Sequence, residues 1–239
     1  MTQENNMEMM NKPETKELMG MFFRNFMKKE KAEKVRKYKM LNKYAKKGQI
    51  LFVGSSLMEF FPINELQQTL EKQYIIYNRG IGGYVTTELL NSMEECIFEL
   101  EPSKIFINIG TNDIGSNDIE YTKKKLLENY NEVLTQIGER LPKCKVYVMA
   151  YYPCNPKADF EGIDKGMKAM FFKTRNNASI LEANAGVEEL AKKHGYEFIN
   201  VNEGLMDKDG NLKEEYAIDG IHMFANGYSV ILNNIKKYL

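Results

Sequence analysis

The chain has 239 residues, 43% of them hydrophobic, and 33 Lys and Arg balance 33 Asp and Glu to a formal net charge of zero. That length suits one domain whose core needs no disulfide or metal to hold it, and no apolar run reaches the ~20 residues that a bilayer-spanning helix requires. Charge is uneven: residues 1–48 hold 13 Lys and Arg against 6 Glu. Such an arm attracts phosphate or anionic lipid, or forms a solvated helical face, and no zinc-finger spacing or RNA-recognition signature accompanies it to suggest nucleic acid.

Met1–Lys12 is polar, rich in Asn and Met, and has neither the basic start nor the apolar stretch of a secretory leader, so disorder is expected there. Leu18, Met19, Phe22, Phe23 and Phe26, then Val35, Tyr38, Leu41 and Tyr44, recur at helical spacing. They predict an N-terminal helical extension over residues 1–47, its stripe packed on a core or lying as a lid or on a membrane surface. From residue 48 onward, short apolar runs at 50–53, 75–78, 105–109, 146–150 and 197–201 alternate with helical stretches near 57–73, 86–99, 119–139, 173–194 and 225–239. Asn117 with Glu120 has the spacing of a capping box, and His194-Gly195 that of a helix end with its glycine. This alternation predicts an α/β fold: a five-stranded, mainly parallel, flavodoxin-like sheet between two helical layers, with ligands beyond the carboxyl ends of the strands.

The three cysteines, Cys96, Cys144 and Cys154, match no zinc spacing, and their odd number suggests free thiols in a reducing, cytoplasmic setting. Cys144 is expected in the core and Cys154 on an exposed loop.

Four polar motifs follow predicted strands. Gly54-Ser55-Ser56 stands after the first, where a serine either caps a helix or projects a hydroxyl beside helical N–H groups. Gly80-Ile81-Gly82-Gly83 follows the second, a tight turn or a close approach to ligand, with neither a dinucleotide fingerprint nor a Walker lysine. Gly110-Thr111-Asn112-Asp113 follows the third and offers a side-chain amide or ordinary turn capping. Asp219-Gly220-Ile221-His222 follows the fifth, and its turn can fold a carboxylate onto Nδ1 of the ring, leaving Nε2 to take a proton. The other histidine, His194, reads as a structural residue at a helix end.

These four blocks, in this order, resemble those of the SGNH hydrolases, also called the GDSL esterase/lipase family, over residues 48–239. The resemblance implies a serine ester hydrolase with Ser56 as nucleophile, His222 as base and Asp219 as its acid partner. It also implies an oxyanion hole made by the Ser56 and Gly83 amides and the Asn112 side chain, with Gly82 as the alternative to Gly83. It implies no cofactor, no metal and a small-molecule ester substrate. Ser55 stands where the family usually has aspartate, which raises the choice between the two serines, and Met223 follows His222 where proline or leucine is commoner. Asn226-Gly227-Tyr228 fits the family's entry to the last helix.

Three other readings compete. The same fold can serve as an inert module binding a glycan or lipid, which the Ser55 replacement motivates. A flavodoxin-like phosphate site accounts for the glycine loop but leaves Asp219 and His222 unexplained. A metal held by Asp113, Asp219 and His222 lacks ligand spacing. Tyr151, Tyr152, Phe160, Phe171 and Phe172 are candidates for an apolar acyl wall or for plain core, and a homo-oligomer stays open.

Overall fold

The computed structural model describes residues 12–115 and 123–239. Five strands form one sheet in the order β2-β1-β3-β4-β5, every pair parallel. They are β1 (Ile50–Gly54), β2 (Ile76–Gly80), β3 (Lys104–Asn108), β4 (Lys145–Met149) and β5 (Glu197–Ile199). The three inner strands β1, β3 and β4 read as nearly continuous apolar runs because helices cover both faces, whereas the edge strand β2 carries Asn78 and Arg79.

Alternation along β1 separates the two cores. Leu51 and Val53 face a layer that includes Leu89, Leu126, Tyr130, Val133, Ile180 and Val187. Ile50 and Phe52 face Leu57, Met58, Phe61, Tyr228, Ile231 and Ile235. The first layer comprises α1 (Pro13–Asn42), α4 (Thr86–Leu90), α5 (Met93–Cys96), α7 (Lys123–Arg140) and α9 (Asn177–Lys193). The second comprises α2 (Ser56–Glu59), α3 (Ile63–Leu66) and α10 (Ala225–Ile235). Two short helices, α6 (Thr111–Ile114) and α8 (Lys165–Phe171), lie in connections.

All five expected strands form, but the helices differ from the sequence expectation. The stretch 57–73 breaks into α2, α3 and a 3-10 turn at Gln67–Thr69, because Pro62 cannot continue α2 and instead begins α3. The stretch 86–99 divides into α4, α5 and a 3-10 turn at Phe98–Leu100. The stretch expected at 173–194 begins at Asn177 as α9, where Asn176 and Ser179 form a reciprocal capping box, and α8 adds a short helix between β4 and α9. Asn117 and Glu120, and all of 1–12 but Lys12, lie outside the described residues. Gly195 takes φ +71° after α9, as its helix-end reading anticipates.

The N-terminal helix departs furthest. Its second half docks on the body through buried Tyr38 and Asn42, with Arg79 donating to Asn42 Oδ1 at 2.8 and 3.1 Å. Its first half does not pack on a core: Leu18, Phe22 and Phe23 are 65%, 72% and 62% exposed, and Leu41 and Tyr44 are also exposed. Among the described residues no helix is long and apolar enough to cross a membrane.

The parallel register brings the functional segments together. Gly54 pairs with Gly80 on one side and Asn108 on the other. The chain therefore leaves β1, β2 and β3 at the same height, and the Ser55, Ile81 and Ile109 segments emerge side by side. A Cβ at Gly80 would collide with the Glu59 backbone, so only glycine lets the end of β2 approach α2 this closely.

Candidate active site

Ser56 is the first residue of α2, and Ser55 takes the extended N-cap conformation before it. The two serines are treated differently. Ser55 is fully buried and its hydroxyl has no hydrogen-bond partner among the described residues, so it neither caps the helix nor reaches the surface. Ser56 Oγ lies 2.8 Å from His222 Nε2.

The His222 ring is held by its own turn. Asp219 Oδ1 accepts the backbone N–H groups of Ile221 and His222 at 2.9 and 2.8 Å. This leaves Oδ2 to face His222 Nδ1 at 2.6 Å. Gly220, at φ +86°, makes the reversal, and Phe160 and Phe172 pack beneath it. A carboxylate opposite Nδ1 keeps the ring proton there, so Nε2 presents its lone pair to the serine hydroxyl. Burial pushes the Asp219 carboxyl up, but the His222 hydrogen bond and charge, with the two backbone N–H groups, outweigh it and hold the carboxyl below its ordinary range. Phe60, half exposed, covers one side of the imidazole, with ring centroids 5.3 Å apart.

The glycine loop and the β3 loop supply the hydrogen donors. The Gly82 N–H is spent on Glu59 Oε2. Gly83, at φ +71°, has no hydrogen bond to its N–H from the described residues, and neither has the Ser56 N–H at the start of α2. Asn112 gives one Nδ2 hydrogen to the Tyr84 carbonyl at 2.9 Å, and among the described residues the other has no acceptor. Its Oδ1 accepts from Arg175 at 3.0 Å, and Arg175 also donates to the Thr111 carbonyl at 3.1 Å, so the amide plane is fixed from both ends. Burial lowers the Arg175 guanidinium from its ordinary value, against Cys154 and Asp219, which act to raise it. Chemically, the arrangement offers a hydroxyl with a base in contact, beside N–H groups able to meet negative charge.

Other candidates fall elsewhere. Asp113 is buried and turned to Thr86, whose N–H and hydroxyl both donate to its carboxylate. Burial, set against those bonds, pushes its carboxyl up to about 6. It ties the β3 loop to the start of α4, not to Asp219 and His222. His194 meets Asn131 Oδ1 at 3.0 Å, and burial, with Lys193 beside it, lowers its imidazole from the ordinary value.

Tyr151 and Tyr152 are core residues and not part of a wall: both are buried, and the Tyr151 hydroxyl donates to the Ile109 carbonyl at 2.8 Å. Phe160 and Phe172 are partly buried against the two cores, and Phe171 is likewise half-buried. The expectation for Cys154 reverses: it is buried, its backbone N–H donating to Asn177. Cys144 is half-buried and packs against the first core, and all three thiols are free.

Sequence reading missed Arg175, Glu59 and Phe60. Arg175 and Asn112 are 63 positions apart, and Glu59 and Gly82 are 23 apart. No local spacing announces either contact, although Glu59 and Phe60 do follow Ser56 within about one helical turn.

The profile of the GDSL-like Lipase/Acylhydrolase family matches residues 52–230. A solved chain from Streptococcus pneumoniae, described by reference to platelet activating factor, is 30% identical and superposes with a TM-score of 0.81, covering 92% of this chain and 98% of that one. The human platelet-activating factor acetylhydrolase IB subunit alpha1 is 21% identical over 195 residues, which are 81% of this chain and 76% of that protein. The N-acylneuraminate cytidylyltransferase of Escherichia coli is 27% identical over 206 residues; the match takes in 82% of this chain and spans only 41% of that protein's length.

Proposed function

The chain belongs to the GDSL-like lipase/acylhydrolase family, and on that premise we propose that it hydrolyses small-molecule carboxylic esters through Ser56, His222 and Asp219. One observation carries the reading: the continuous contact from Ser56 Oγ to His222 Nε2 at 2.8 Å and from His222 Nδ1 to Asp219 Oδ2 at 2.6 Å.

Ser56 Oγ attacks the ester carbonyl carbon while its proton passes to His222 Nε2, and the Asp219 carboxylate stabilises the imidazolium. The carbonyl oxygen becomes an oxyanion, met by the Ser56 and Gly83 N–H groups and the free Nδ2 hydrogen of Asn112. One such donor is typically worth ~3–4 kcal/mol of barrier. Collapse expels the alcohol, protonated by His222, and leaves an acyl group on Ser56. Water attacks that acyl group with His222 again as base, and the acid departs. Every proton and electron pair is handled by these side chains, so the chemistry calls for no cofactor or metal.

Acetyl or other short acyl esters are the substrate class we propose. The support is the likeness to acetylhydrolase subunits, together with Phe60 closing one side of the His222 ring. Residues 48–239 would form the hydrolase domain, with 1–47 as a helical extension of the same unit. The odd cysteine count supports a reducing, cytoplasmic location.

Hydrolysis of p-nitrophenyl acetate by purified wild type, Ser56→Ala and Ser55→Ala tests the reading. Activity is expected in wild type and Ser55→Ala and not in Ser56→Ala, and an active Ser56→Ala protein would overturn it. Profiling acyl esters from acetyl to palmitoyl then tests the chain-length proposal.

A further inference from the structure

The loop that carries the Gly83 N–H is made of Gly80, Ile81, Gly82 and Gly83, so its three glycines have no side chains with which to hold their own conformation. Glycine loses more backbone freedom on ordering than any other residue, so the hold must come from outside. Beyond the backbone bonds of Ile81 to Gly54 and Tyr84, it comes from Glu59 at the end of α2 and from one face of α1, where Lys31, Lys34 and Tyr38 follow one another at helical spacing.

The Tyr38 hydroxyl donates to the Gly80 carbonyl at 2.6 Å. Lys34 pairs with the Glu59 carboxylate, whose other oxygen accepts the Gly82 N–H. Lys31 Nζ donates to the Gly83 carbonyl at 2.8 Å and to both Glu88 oxygens at 2.9 and 2.7 Å. Glu88 Oε2 in turn accepts the Val85 N–H at 3.1 Å. The peptide unit bearing the Gly83 N–H thus has its two neighbours pinned, one through Gly82 N–H and one through Gly83 C=O. What remains for the unit between them is the single orientation set by φ +71° at Gly83.

We infer that Lys31 and Glu59 are positioning residues of the oxyanion hole, and that the N-terminal helix is the brace that aims the Gly83 N–H at the reacting carbonyl. The inference rests on the reading of Gly83 as an oxyanion donor. Neither side chain touches substrate. Each acts through a backbone group of the loop, so its loss should raise the barrier without changing ground-state binding.

The test uses the full chain and p-nitrophenyl acetate. Lys31→Met keeps the stem and removes the donors, and Glu59→Ala removes the acceptor for Gly82. Each is expected to lower kcat by roughly 10- to 100-fold with KM within about twofold. Lys31→Arg, still a donor, and Glu59→Gln, still an acceptor, should recover most of the loss. Inactivation by a fluorophosphonate should slow in parallel with kcat. Lys29→Met serves as the control, because Lys29 is exposed and among the described residues pairs with Glu33 alone, and it should leave activity unchanged.

Folded Lys31→Met and Glu59→Ala proteins with kcat within twofold of wild type would overturn the brace. So would equal losses in the Arg and Gln variants, because restoring a donor or an acceptor would then recover nothing. If Lys31→Met fails to fold, the Glu59 pair and Lys31→Arg decide. Failure of the site reading itself looks different: Ser56→Ala would then hydrolyse the ester as fast as wild type.

Discussion

Replacing Asp219 with Asn is the sharpest perturbation of the site, because it changes one proton and little else. The Asn Oδ1 can still accept the Ile221 and His222 N–H groups, now made at 2.9 and 2.8 Å, so the turn should survive. Its second position becomes an NH2 facing His222 Nδ1, where the carboxylate now stands at 2.6 Å. A donor there requires Nδ1 to accept, which moves the ring proton to Nε2. That nitrogen lies 2.8 Å from Ser56 Oγ and would then point a hydrogen at the hydroxyl whose proton it must take. Inverting the tautomer in a serine triad costs about 10⁴ in kcat, which is about 5.5 kcal/mol at ~1.36 kcal/mol per decade. The assay is initial-rate hydrolysis of p-nitrophenyl acetate across substrate concentration, with a melting curve to show that the variant is folded. A folded Asp219→Asn protein within tenfold of wild-type kcat would refute the claim that this carboxylate sets the tautomer.

Asn112→Ala should lower kcat by roughly 10²–10³ with a small change in KM, since the amide meets charge that exists only in the transition state; steady-state kinetics checks this. Gly83→Ala forces a Cβ into a φ of +71° and against Lys31 Cε at 3.3 Å, so a stability loss of ~1–2 kcal/mol in urea denaturation should accompany a fall in kcat. Ser55→Ala removes a buried hydroxyl that has no partner among the described residues, so its melting temperature should match or exceed that of wild type. Asp219 has a folded-state pKa below its unfolded value, so its contribution to stability is present above the ordinary value of 3.8 and is lost as pH falls further. The stability gap between wild type and Asp219→Asn should therefore narrow as pH falls below about 4 in denaturant titrations.

The sheet was legible because its inner strands are apolar on both faces and because β1, β2 and β3 end in Gly54, Gly80 and Asn108, where the composition changes sharply. The site was legible for a related reason. Parallel strands deliver their exits to one edge, so motifs far apart in sequence could be placed together without knowing a single contact. Local rules failed where a tertiary contact decides. Leu18, Phe22 and Phe23 have helical periodicity yet face solvent, because periodicity shows that a stripe exists and not what covers it. Cys154 read as exposed from its loop position, but Asn177 draws that loop inward. The division of roles between Ser55 and Ser56 depends on which hydroxyl the strand-to-helix turn directs at His222, and only the fold supplies that direction.

The central claim is that the Ser56 hydroxyl is activated by His222 beside an oxyanion site, and covalent capture tests it most directly. Wild type treated with a fluorophosphonate, digested and mapped by tandem mass spectrometry should carry one adduct, on Ser56, and His222→Ala should carry none. A folded wild-type protein that stays unlabelled, or one whose adduct sits on Ser55, would contradict the account.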